Sequence, residues 1–139
     1  MEINFVNHHK KRKLIFNHIL TVKRFSTIAF FESKNIGAIC FIFVSDLEIL
    51  NINRKYLHHF YPTDVITFDY TVNNFIAGDI FISLDTVERN ARIYNVSFSN
   101  ELNRVMIHGI LHLIGYKDKF ESEKKIMRKK ENFYLRLFK

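Results

Sequence analysis

Residues 36–44, Ile-Gly-Ala-Ile-Cys-Phe-Ile-Phe-Val, run apolar without polar alternation. The run falls short of the roughly 18 residues that cross a bilayer, and its β-branched and aromatic content suits a strand covered on both faces. Covering both faces takes helices packed on a sheet. The expectation is therefore an α/β fold, a single compact domain spanning residues 1–139 with a small mixed sheet packed by helices. A chain of 139 residues has room for one such core. Its 47% apolar and 25% charged content, with four Gly and one Pro, excludes disordered, collagen-like and low-complexity chains.

Around that strand the other elements follow from spacing. Residues 3–6 read as a short edge strand, and the basic stretch 8–13 leads into apolar periodicity to Phe25, where a first helix is expected. Ser45 or Asp46 can cap a helix over residues 47–57. Pro62 biases Tyr61 away from helical geometry, and in residues 64–70 Val65, Ile66, Thr67, Phe68 and Tyr70 suit a pleated surface. Asn73 and Asn74 mark a hairpin whose return strand, residues 80–84, is entered at Gly78 and Asp79. Asp85 with Glu88 fits a capping box opening a helix to about Tyr94. Another helix starts at Asn100 and ends near Gly115. The last, residues 121–137, carries Ile126, Met127, Lys130, Phe133, Tyr134 and Leu137 at helical spacing, with Lys124, Lys125, Arg128 and Lys129 on its remaining surface.

Charge and cysteine usage narrow the setting. Lys plus Arg number 21 against 14 Asp plus Glu, a net +7 that steers polyanions toward the chain and favours nucleic acid over a membrane surface. The single Cys40 excludes an intramolecular disulfide framework and a cysteine metal cluster, which fits a reducing, cytoplasmic location. Glu2 and Asn4 interrupt any secretory core at the start, so neither a leader nor a membrane span is expected.

The most informative chemistry lies at residues 108–118, His-Gly-Ile-Leu-His-Leu-Ile-Gly-Tyr-Lys-Asp. Residues four apart stack on one helix face, so His108 and His112 can offer two imidazole nitrogens to one metal. Gly115 can end the helix and turn the chain back, letting Asp118 supply a third ligand and leaving a fourth position for water. The competing reading packs both histidines on an apolar stripe and uses Asp118, with Glu121, to cap the last helix. Glu101, seven residues before His108, can orient a ligand histidine or serve as a first-turn carboxylate. Gly109 stands where a His-Glu-x-x-His protease carries its general base, which argues against that form of peptide hydrolysis.

The same segment resembles the signature of the YbeY family of bacterial endoribonucleases and ribosomal RNA maturation factors, His-Gly-x-Leu-His-Leu-x-Gly-Tyr-Asp-His. His108, Gly109, Leu111, His112, Leu113, Gly115 and Tyr116 match it, whereas Lys117 and Asp118 stand where the family has Asp and His. Thr63-Asp64-Val65-Ile66-Thr67-Phe68 is similar to the family's strand motif and Gly78-Asp79-Ile80 to its second strand signature. Ile52-Asn53-Arg54-Lys55-Tyr56-Leu57 resembles its Leu-Asn-x-x-Tyr-Arg segment, and Met127 with Glu131 its final helix, so the likeness covers roughly residues 3–131.

The resemblance implies one α/β domain, a zinc ion (Zn2+) in a cleft and a cytoplasmic location. It also implies work on the small-subunit (16S) ribosomal RNA precursor and in ribosome quality control, with the small ribosomal subunit as partner. His108 and His112 inherit the metal-ligand assignment directly and Asp118 by position. The family's phosphate-contacting arginine aligns with Leu57, leaving Arg54, His58 or His59 to take over anion binding or to be solvated surface. The implied reaction is metal-activated hydrolysis of an RNA phosphodiester. Proton transfer then falls to metal-bound hydroxide, the substrate's 2′-hydroxyl, or a carboxylate from Asp79 or Glu101, and Asp64 and Asp79 also read as strand-start or turn carboxylates bonded to backbone N–H groups. Basic residues 8–13 and 124–130 form a candidate RNA footprint. The alternative function is a ribosome-associated RNA-binding assembly factor with a mainly structural metal.

Overall fold

The computed structural model describes residues 1–58 and 63–139. Its elements run β1 (Glu2–Asn7), α1 (His18–Phe31), β2 (Asn35–Val44), α2 (Asp46–Leu57), β3 (Val65–Asp69), β4 (Phe75–Ser83), α3 (Leu84–Ile93), α4 (Phe98–Ile114) and α5 (Glu121–Leu137). The four strands make one mixed sheet in the order β1-β2-β4-β3, with β3 the antiparallel member. No helix among the described residues is long and apolar enough to cross a membrane.

Strand β2 is covered on both sides over its last four residues, Phe41 to Val44, whereas nearer its start Ala38 is exposed and Gly37 and Cys40 are half-buried, so the apolar run is only partly enclosed. Phe41 and Phe43 join the larger core with Phe25, Ile28, Ile80, Ile82 and Ile110, while Ile42 and Val44 join a smaller one with Ile49 and Ile66 under α2. The pairing of β2 with β4 shifts register between Ile36 and Ile39. Three steps on β2 match two on β4, which turns both Ile36 and Ile39 to the same core despite their odd spacing.

Several boundaries differ from the sequence expectation, each for a local reason. Helix α1 starts at His18, where Asn17 accepts the Leu20 N–H, because the basic stretch before it is held as an extended strap. His9 Nε2 meets Asp85 at 2.9 Å, Arg12 meets Glu88 at 2.5 Å, and the Arg12 guanidinium lies over the Phe98 ring. Gly78 and Asp79 lie inside β4 rather than at its entrance, since the two-residue Asn73-Asn74 turn returns the chain at Phe75. Ser83, not Asp85, caps α3, and Ser97 caps α4, which places Asn100 in its first turn. Glu123, not Glu121, accepts the Phe120 N–H at the start of α5, so Asp118 takes no capping role there. His59, Phe60, Tyr61 and Pro62 lie outside the described residues.

Candidate metal centre and cleft

Helix α4 reaches the sheet through two glycines. A Cβ on Gly109 would come 2.8 Å from an Ile80 methyl, and one on Gly78 would come 2.4 Å from the Phe68 carbonyl oxygen and 2.8 Å from a Leu113 methyl. Larger residues would lift the helix, so these glycines set how deeply the histidine face sits. Gly115, at φ 123°, then ends α4 in a conformation that L side chains rarely adopt. Tyr116 follows, its N–H bonded to the Leu111 carbonyl and its hydroxyl to Glu32 at 2.6 Å. Tyr134 and Lys130 also donate to Glu32. This anchor holds the turn that carries Asp118.

The turn brings Asp118 to the histidines. His108 Nε2 lies 3.2 Å from one Asp118 oxygen and His112 Nε2 3.3 Å from the other, and one ligand atom from each residue falls within 4.8 Å of the rest. His108 Nδ1 meets the buried Glu131 carboxylate at 2.6 Å. A neutral ring that donates from Nδ1 turns the Nε2 lone pair toward the cluster, the usual carboxylate-histidine support of a metal ligand. Burial and the neighbouring His108 lower the His112 pKa against the opposing pull of Asp118, so its lone pair is available to lower pH than in a free imidazole. Two imidazole nitrogens and a carboxylate oxygen converging on one point form a donor set that suits a divalent cation of zinc's preferences.

Behind the donor set lies a buried ionic frame. Arg104 bonds Glu101 through Nε at 2.9 Å and through a second nitrogen, bonds Glu131 at 3.0 Å, and lies 3.9 Å from Asp64. Burial alone would lower the Arg104 pKa, but Glu101 and Glu131 outweigh it and raise it above the ordinary value. Burial would likewise raise Glu131, yet His108 and Arg104 hold it below the ordinary range as a charged carboxylate. Such a frame resists the loss of any one member, because the remaining charges would stay buried unpaired.

These geometries sort the expected site residues. His108, His112 and Asp118 come together, and with Arg104, Asp64, Asn53 and Leu57 they line a cleft of about 700 Å3. Glu101, Asp79 and Arg54 are not among its lining residues. Glu101 is engaged by Arg104, and the role of bonding a ligand histidine belongs to Glu131 instead. Asp79 precedes Ile80, which packs under Gly109, so strand alternation turns Asp79 to the opposite sheet face, where it lies near Tyr70 and Cys40. Arg54 lies on the exposed side of α2.

Sequence reading missed Arg104 and Glu131. Both left a signal: polar residues at 101, 104, 108 and 112 step along one face of an apolar helix, and Glu131 sits between Met127 and Tyr134 on the buried stripe of α5.

Comparison with known proteins agrees with this geometry. A family profile described as Endoribonuclease YbeY matches residues 3–139. The chain is 54% identical over 99 residues to a Parabacteroides distasonis protein named Endoribonuclease YbeY, covering 71% of this chain and 70% of that one. A Flavobacterium johnsoniae protein of the same name is 50% identical over 113 residues, 81% of each chain. The solution structure of a Thermotoga maritima protein superposes with a TM-score of 0.67 at 30% identity, covering 98% of this chain and 88% of that one.

Proposed function

The chain belongs to the YbeY family, and from that membership we propose that it is a metal-dependent endoribonuclease of ribosomal RNA processing. The finer reading is hydrolysis of phosphodiesters in the 16S precursor, in the cytoplasm and in association with the small ribosomal subunit. The observation that carries it is the convergence of His108, His112 and Asp118 at an open cleft, with the second nitrogen of His108 held by Glu131.

Zinc held by those three residues would supply a Lewis acid for the phosphoryl oxygens and a water of lowered pKa. The chain's own residues do the rest. Glu131 keeps His108 in the tautomer that presents Nε2, and Arg104 keeps Glu131 ionised. The Tyr116–Glu32 anchor keeps Asp118 over the histidines. With Asp79 on the far face and Glu101 paired to Arg104, Asp64 is, among the described residues, the cleft carboxylate outside the donor set that can take up the proton released by the attacking water. A second reading, an assembly factor with a structural metal, draws support from Leu57, which lines the cleft without a charge to neutralise phosphate.

The test is metal content by mass spectrometry on protein purified without chelator or metal-affinity column, together with cleavage of a ribosomal RNA precursor. The expected result is near one zinc per chain, lost in Asp118→Ala, and cleavage lost with it. A folded, metal-free wild-type protein would overturn the reading. Zinc retention without cleavage would favour the assembly factor.

A further inference from the structure

The cleft's cations are not equivalent. Arg104 faces Glu101, Glu131 and Asp64, one guanidinium against three carboxylates, so its charge is already balanced within the protein. Leu57 contributes none. The remaining lysine and arginine that line the cleft among the described residues both come from α5: Lys124 and Arg128, four apart and therefore on one helix face. Each is more than half exposed, and their nearest carboxylates stand beyond hydrogen-bond reach, Glu121 at 3.7 Å from Lys124 and Glu131 at 3.9 Å from Arg128. One turn beyond Arg128 the same helix carries Glu131, bonded to His108. The two cations are thus registered to the donor set by one rigid element.

We propose that Lys124 and Arg128 form the phosphate-binding edge of the cleft, gripping successive phosphodiesters of a single RNA strand and supplying the positive charge that α2 lacks at Leu57. This rests on the ribonuclease reading above and assigns it a substrate-holding surface. Lys125 and Lys129, one residue further round α5 and outside the cleft, carry the same charge but have no such role. The basic strap before α1 lies outside the cleft lining, and its Arg12 is committed to Glu88 and Phe98.

The experiment measures binding of a fluorescent 2′-O-methyl oligoribonucleotide, checked by gel to stay intact, by anisotropy as salt is raised, with zinc content followed in parallel. Each phosphate contact on a single strand contributes about 0.7 to the slope of log affinity against log salt, so Lys124→Ala with Arg128→Ala should flatten the slope by roughly 1.4 and weaken binding on the order of tenfold near 0.1 M salt. Lys125→Ala with Lys129→Ala, an equal change in net charge, should keep the wild-type slope. Lys124→Arg with Arg128→Lys, which retains both charges, should restore it. Equal flattening by the two alanine pairs, or none by the first, overturns the proposal while leaving metal binding and cleavage standing. A wild-type protein that holds zinc but not the oligoribonucleotide overturns both this proposal and the ribonuclease reading.

Discussion

Two polar clusters in this molecule use the same residue types to opposite ends. At the N-termini of α2 and α3, Asp46 accepts from Ser83 at 2.7 Å and Thr86 at 2.6 Å on one oxygen and from Arg89 on the other. Asp85 accepts the Asp46 N–H on one oxygen and meets His9 Nε2 with the other, while His9 Nδ1 accepts the Arg12 N–H. All four carboxylate oxygens and both His9 nitrogens have partners within the protein. At the α4–α5 cleft, the buried Glu131 braces His108 through Nδ1, while His108 Nε2, His112 Nε2 and the partly exposed Asp118 carboxylate converge on one point at an open surface. A histidine-carboxylate pair therefore marks a strut when both ring nitrogens are satisfied and a ligand site when one is left pointing at other donors.

The contrast is sharpest for His112→Ala, which should reduce zinc affinity by a hundredfold or more on the order expected for a lost ligand, with the apoprotein still folded. Unchanged metal content in a competition titration would put the histidines among the struts. Asp46→Ala should do the reverse: zinc content stays, and chemical denaturation shows a loss of about 2–3 kcal/mol, because the Ser83 cap and Thr86 lose a charged acceptor. Gly109→Ala touches the cleft through packing rather than chemistry. The clash with Ile80 should lower stability by about 1–3 kcal/mol, and a melting temperature equal to wild type would show that α4 has room the structure does not indicate.

The smallest effect is in the acid range. Burial would raise Asp46 and Asp85, but the Arg89, Thr86 and Ser83 bonds lower the first and the Asp46 N–H and His9 lower the second, both below the ordinary 3.8. Their contribution is then complete above that value and is lost as pH falls below it, where the unfolded carboxylates bind protons before the folded ones do. Both side chains are partly exposed, which limits the size. In Asp85→Asn the loss of stability on acidification below about pH 4 should be shallower than in wild type. Parallel curves would place the acid sensitivity elsewhere, with Glu32 and Glu131, both also lowered, the next candidates.

Much of the fold was legible because the signals were local. The apolar run of β2, the Asn73-Asn74 turn and the stripe of α5 each follow from period or turn chemistry within a few residues. The caps of α3 and α4 were misread because a serine at each true start lies beside an equally good acidic or amide candidate, and only the backbone path selects between them. Of the site, His108, His112 and Asp118 were readable since helix pitch and one glycine turn bring them together. Glu131 and the full role of Arg104 were not, as the pairing that ties them to the site runs between elements, from α4 to α5.

The sequence by itself determined the α/β composition, the two-histidine face and the turn that returns Asp118 to it, since each depends on spacing of four residues or on a φ that glycine favours. Only the tertiary structure decided which charges serve the cleft. Strand alternation turned Asp79 away, close packing of α4 on α5 put Glu131 on His108, and three carboxylates around Arg104 used its charge inside the protein. The physical reason is range: periodicity is set by neighbours along the chain, whereas the burial and pairing that give an ionisable side chain its role depend on elements far apart in sequence.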